Sequence, residues 1–366
     1  MLTSLAILFP LGEILYVHIT PHIRIRFLDV LVFMFCIETI LKQKSNVIQG
    51  IKKSGLIVLG FALFISALLN ISTATASSLS YLLRTLLYFC FFGCILSITK
   101  HKKLNILFAG SVALLLVSAL LQYFLYPTLR NLMYLGYDPH AYRLFGLFLD
   151  PNLIGLFLVW SLLYFAQKKQ IFVSLVVLCA LLLTYSRISY ISGVISGMYL
   201  LFMYFRPRRA ITFVLLGILF LGAFVFSLPK KQGEGTNLKR INSIVSKTNA
   251  LTIAQKTMQT HPLLGIGFNT LPTLLPKDTF FNNSGYGLDN SFLTVLVTSG
   301  IVGIFGYGVF FVTIMKKSTY VFRAISLAYF IHALSTNSFF TPTLFVAYGM
   351  LYYLTLSDTS HASTSL

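Results

Sequence analysis

Apolar residues run in long blocks along the whole chain, separated by short polar or basic breaks. A helix takes about 20 residues to cross the hydrocarbon core of a bilayer. On that rule the blocks predict spans near 4–20, 27–41, 54–70, 78–98, 104–125, 152–166, 171–186, 188–205, 210–228, 288–314, 320–335 and 341–356, twelve in all and several of them short. Alternate breaks are basic: Lys42 to Lys53, Lys100 to Lys103, Lys168 and Lys169, Arg206 to Arg209, and Lys316 to Arg323. With twelve spans every one of these falls on the same side, which the positive-inside rule makes the cytoplasm, with both termini there. One uncounted span between two basic breaks would destroy the pattern.

Two of the remaining breaks are large. Residues 126–151 carry Arg130, Asp138, His140 and Arg143, and residues 229–287 carry seven basic residues against Glu234 and Asp278. Long outer loops escape the charge rule, so their basic bias needs another cause. Within the second, Asn242 to Gln259 spaces Ile244, Val245, Leu251, Ile253, Ala254 and Met258 among polar residues, which predicts an amphipathic helix, or a pair, on the outer membrane face. The loop then closes on His261-Pro-Leu-Leu-Gly-Ile-Gly267, where Pro262 stops a helix and Gly265 and Gly267 permit tight turns. The next apolar helix opens on Asp289-Asn290-Ser291, with Asp289 or Asn290 placed to cap it. A carboxylate and an amide are thereby expected at a membrane surface under a polar lid.

Composition agrees. With 57% hydrophobic and 10% charged residues in 366, the chain is expected to be one helical transmembrane domain, 1–366, with 229–287 inserted as a large loop between the ninth and tenth spans. Glu13 interrupts the first block and no small-residue cleavage site follows, so that block is expected to be an uncleaved span. A charge of +19 would suggest nucleic acid in a soluble domain. Here the basic residues anchor cytoplasmic loops, a second group suits an anionic substrate, and no nucleic-acid partner is expected. Cys36, Cys90, Cys94 and Cys179 all lie in apolar blocks; Cys90 and Cys94 share a helix face, but no further ligand is evident. They are expected to pack rather than bind metal. The seven histidines are scattered, so no metal site or cofactor is expected.

Charges inside spans cost about 2.5–3.5 kcal/mol even on a lenient scale, so Arg84, Arg187, Glu13, Asp29 and Glu38 call for reasons. Arg187 falls at an outer hairpin after Ser186, where a guanidinium suits phosphate oxygens or simply reaches lipid headgroups. Arg84 could join such a site or pair with a carboxylate. Asp150 before Pro151 fits a helix cap. Arg143 has no evident local task and becomes a second phosphate candidate. His261 fits a turn better than a ligand or base. Asp289 could be a base, a cap, or both.

The turn at His261–Gly267, the Asn290-to-Gly303 spacing, Arg143-Leu-Phe-Gly followed by Asp150-Pro151-Asn152, and Ser186-Arg187 occur in order between residues 143 and 303. Together they resemble the O-antigen ligase and polymerase superfamily of membrane glycan-assembly enzymes. The resemblance implies an all-α, GT-C-like, multi-pass protein of the cytoplasmic (inner) membrane with its active site on the outer face. It implies a polyprenyl-diphosphate-linked oligosaccharide donor and an acceptor glycan or lipid, with membrane lipids and other glycan-assembly proteins as partners. Asp289 takes the catalytic role. Arg187, Arg143, Lys247 and Arg240 take the diphosphate, and Asn290, Arg84 and His261 support them. The family has an Arg where Lys247 stands, and its ligases carry His where this chain has Asp289, which favours a polymerase over a ligase. A lipid-linked oligosaccharide flippase or other transporter is the rival of another class. It would be expected to show two related halves with broken helices at the midplane. A non-catalytic scaffold would leave the outer arginines unexplained.

Overall fold

Helices stand at each of the predicted apolar blocks in the computed structural model, which describes residues 1–20, 23–98, 103–135, 137–227, 236, 242–271 and 288–362. They are α1 (Leu2–Leu8), α2 (Phe27–Ser54), α3 (Leu56–Leu69), α4 (Ala76–Ser97), α5 (Leu104–Leu125), α6 (Pro151–Gln167), α7 (Ile171–Leu183), α8 (Arg187–Tyr204), α9 (Pro207–Ser227), α11 (Ser291–Lys316), α12 (Tyr320–Ala333) and α13 (Pro342–Ala362). A further helix, α10 (Asn242–Thr260), occupies the stretch where an amphipathic helix is expected. Among the described residues, α4, α5 and α11 are each long and apolar enough to cross a bilayer alone. The pair α2 and α3, bent by 76° at Gly55, makes a fourth candidate, and several of the remaining apolar helices are shorter. The chain is thus a predominantly helical, multi-pass membrane protein.

Two stretches depart from the sequence expectation. The block 4–20 is not one helix: α1 ends at Leu8, a 3-10 turn follows through Glu13, and Tyr16–Thr20 (β1) pairs antiparallel with Ile23–Arg26 (β2). The physical reason lies in the alternation Tyr-Val-His-Ile-Thr and Ile-Arg-Ile-Arg, whose period of two and β-branched residues suit strands. Register pairs Val17 with Ile25 and His18 with Arg24, so one face is aliphatic and the other aromatic and basic. The second departure is the basic break at Lys42–Lys53. It is helical, because α2 resumes after a single non-helical residue, Gln43, and runs on to Ser54. Gly55 then turns the chain with φ 78, and a Cβ there would stand 3.2 Å from the Val309 carbonyl oxygen.

The chain divides into two compact units. One comprises residues 1–111, 241–317 and 333–366; the other comprises 112–240 and 318–332. In the first, α2 packs on α4 and α3 on α11, around an aromatic core in which Phe92 meets Phe310, Phe345 and Tyr348. The costly charges of this unit are paired. Arg26 meets Glu13 at 3.0 Å, and Arg84 meets Asp29 at 2.9 Å while Tyr88 donates to the same carboxylate. Of the two roles open to Arg84, pairing with a carboxylate is the one it fills. In the second unit Trp160 on α6 is fully buried, donates to the Ile325 carbonyl at 3.1 Å, and stands edge-on to Tyr329.

Candidate active site

In the first unit the two late motifs are joined through a break in a helix. Gly300 sits inside α11 with φ 62 and ψ −160, far outside helical values. Such a break strands amides and carbonyls that lipid cannot satisfy. The His261–Gly267 segment satisfies them. Ile301 and Val302 donate to the carbonyls of Pro262 and Leu263 at 3.0 and 3.2 Å, and Ile266 and Gly267 donate to those of Val297 and Thr298 at 2.9 and 3.1 Å. Approach is so close that a Cβ on Gly265 would lie 2.3 Å from the Val297 oxygen, and one on Gly300 would lie 2.2 Å from the Leu263 oxygen. Both glycines also have positive φ. The two motifs are therefore one structural element, and their glycines are required by contact. Ser66 on α3 completes it, with its hydroxyl 2.9 Å from both the Leu264 and Thr298 carbonyl oxygens. A hydroxyl has one proton, so it serves one of them at a time.

At the start of α11 the two candidate caps separate. Asn290 is the cap: its backbone is extended and its Oδ1 accepts the Leu293 amide at 3.0 Å. Its amide group also donates to the Leu334 carbonyl at 3.0 Å. Asp289 is the residue before the cap and adopts a left-handed conformation, φ 49. That conformation is uncommon outside glycine, asparagine and aspartate, and such residues cluster at functional sites. Both flanks are pinned. The Leu288 amide donates to Thr294 Oγ1 at 3.1 Å, and Ser291 is held to the Thr336 carbonyl through its amide and its hydroxyl. Thr294 Oγ1 in turn lies 2.9 Å from Asn337 Oδ1. Asp289, half-buried, thus projects from a fixed stretch of backbone at the positive end of a long helix.

His261 follows the last residue of α10, exposed, with Nδ1 2.8 Å from Thr260 Oγ1. That position is a helix end, as expected of a turn residue. Lys247 lies on α10, which buries Ala250 and Ala254 against Leu288 and Val297; its side chain, like all of Arg240, lies outside the described residues.

The second unit holds the earlier motifs in one buried polar network. Arg143 is 3% exposed; Nε donates to the Thr184 carbonyl at 2.9 Å, and Nη2 lies 3.3 Å from Asn152 Oδ1 and 3.5 Å from the Tyr185 carbonyl oxygen. The sequence showed no local task for Arg143, and the structure corrects this: the guanidinium ties the α7–α8 turn to the start of α6. A lone sequence cannot show that two main-chain carbonyls converge on one side chain. Asp150 caps α6 as expected, accepting the Asn152 amide at 2.6 Å. Ser186 caps α8 and donates to Asn152 Oδ1 at 2.9 Å, while His332 Nε2 lies 2.9 Å from the Asn152 carbonyl oxygen. Arg187 is consequently the first residue of α8, half-buried, beside a turn fixed on three sides. A cation there opposes the helix dipole. A helix N-terminus in general favours an anion.

Sequence reasoning missed Ser66, Thr294, Asn337 and Thr184, and gave Asn152, which it named within a motif, no role of its own. Ser66 and Asn70 gave a signal, as polar residues four apart in an otherwise apolar helix; Asn70 donates back to the Ser66 carbonyl at 2.9 Å.

Residues 172–308 match the family described as O-antigen ligase. The matched stretch contains Ser186 and Arg187, α10, the His261–Gly267 segment, Asp289 and the break at Gly300. The match supports placement in the O-antigen ligase/polymerase superfamily. No curated protein matches the chain.

Proposed function

We propose, from the O-antigen ligase domain carried over residues 172–308, that this protein is a membrane glycan polymerase. It transfers oligosaccharide from a polyprenyl-diphosphate carrier to an acceptor sugar hydroxyl on the outer face of the cytoplasmic membrane. Asp289 is the general base. Its carboxylate takes the proton of the acceptor hydroxyl as that oxygen bonds to the anomeric carbon. The bond from that carbon to the diphosphate breaks, and the growing negative charge is met by Arg187, Lys247 and Arg240. Arg143 supports Arg187 by holding its turn. In this reading the basic breaks lie in the cytoplasm and both large loops outside.

The observation that carries this reading is the division of labour at α11: Asn290 caps the helix, and Asp289 stands beside it in a left-handed conformation. A ligase, which moves finished glycan to a lipid core, is the second reading, favoured by the description of the matched family. Against it stands the aspartate where ligases carry histidine. The break in α11 does not favour a transporter, because its backbone groups bond to the protein's own loop and none of these bonds is left for a substrate or ion. Deletion of the gene with analysis of surface glycan length separates the three. A polymerase leaves single-repeat glycan, a ligase leaves full-length glycan on the polyprenyl carrier, and a flippase leaves intermediates on the cytoplasmic face.

A further inference from the structure

Three of the four cysteines come together inside the first unit. Cys90 and Cys94 lie four apart on α4 and share a face, and Cys36 approaches from α2, so that the three sulfurs lie within 4.8 Å of one another. The sequence showed two thiols and no further ligand; the packing of α2 on α4 supplies the third. Cys36 and Cys94 are buried and Cys90 is half-buried. The helices are held in this approach by their glycines. A Cβ on Gly93 would lie 2.2 Å from Ile51 Cγ1, and one on Gly50 would lie 2.8 Å from the Gly93 oxygen.

Three sulfurs at about 2.3 Å from a central ion stand roughly 4.0 Å apart, which the observed bound allows. Among the described residues, no histidine or carboxylate belongs to the group. Zinc prefers a fourth ligand, whereas soft thiol donors select ions such as Cu(I). Each sulfur that binds the ion gives up its proton to solvent, and no electron moves. The end of α4 adds a second preference for a cation. Cys94 lies in the last turn before Ser97, at the negative end of the helix dipole.

We propose that Cys36, Cys90 and Cys94 form a three-sulfur site for a soft monovalent cation, Cu(I), which fastens α2 to α4. The purified full chain, reduced and kept from air, is titrated with Cu(I) against a chromogenic Cu(I) chelator. The wild type and Cys179→Ser are expected to hold one equivalent per chain, and Cys36→Ser and Cys90→Ser none, serine being close in size but a poor ligand for this ion. A second readout is independent of any variant's folding: in the wild type, bound Cu(I) is expected to slow alkylation of Cys90, followed by peptide mass. Retention of the equivalent by Cys90→Ser, its loss in Cys179→Ser, or unchanged alkylation of Cys90 in the presence of Cu(I) would each overturn the proposal.

Discussion

The amide of Ile301 donates to the carbonyl of Pro262 at 3.0 Å, across the break that Gly300 makes in α11. This bond and its three companions make the His261–Gly267 segment a backbone patch on a transmembrane helix. Gly300→Ala should therefore be far worse than an ordinary helical glycine change. It forces a side chain into positive φ, about 1–3 kcal/mol in itself, and into the Leu263 carbonyl. Gly308→Ala, where a Cβ meets nothing within 4 Å, is the matched control and should be neutral or stabilising by roughly 0.5–1 kcal/mol. Melting temperatures of the two purified variants check this; equal values would show that the break is not tightly held.

Ser66 serves the same patch from α3. Ser66→Ala removes a buried donor from two carbonyls, and the expected loss is about 1–3 kcal/mol of stability. Thermal unfolding measures it, and glycan transfer at low temperature should persist, because Ser66 only supports the site.

Arg143 and Arg187 should respond to the same substitution in opposite ways. Arg143→Lys loses the fork that reaches Thr184, Asn152 and Tyr185, so folded protein should fall, by about 1.5–3 kcal/mol for each charged hydrogen bond lost. Arg187→Lys should leave abundance unchanged and lose most turnover, since a point charge cannot make paired contacts to a diphosphate. Level and turnover are read side by side in proteoliposomes. Normal donor affinity and turnover in Arg187→Ala would leave Arg187 to lipid headgroups.

The proposed topology places α10 outside and the α6–α7 turn inside. In a Cys179→Ser background, Gln255→Cys should react with an impermeant thiol reagent on intact cells and Gln170→Cys should not; both positions are exposed. The reverse pattern would move the candidate site to the cytoplasm.

Much of this was legible in the sequence because its signals are local. Apolar block length located the helices, Pro151 after Asp150 located a cap, and Gly265 and Gly267 marked tight turns. What the sequence did not show is what lies across the fold. Cys36 faces Cys90 only because α2 packs on α4, and Arg143 is occupied only because the α7–α8 turn aims carbonyls at it. The hairpin at Tyr16–Arg26 was missed for another reason, since an apolar average over a block hides a period of two. Asp289 and Asn290, adjacent and both good caps, could not be told apart until their backbone angles were known.

The central claim rests on Asp289. Since Asn290 makes the cap, Asp289→Asn leaves the start of α11 intact; asparagine also tolerates left-handed backbone. The substitution keeps the side chain's size and removes the carboxylate's capacity to take a proton, and loss of a general base lowers rate by about 10²–10⁴-fold. The measurement is turnover of purified Asp289→Asn with lipid-linked donor, read as product chain length beside its melting temperature and donor affinity. The expected result is an unchanged melting temperature and affinity with a rate lower by that factor. Wild-type turnover in Asp289→Asn would contradict the account and return the search for a base to His140 and His261.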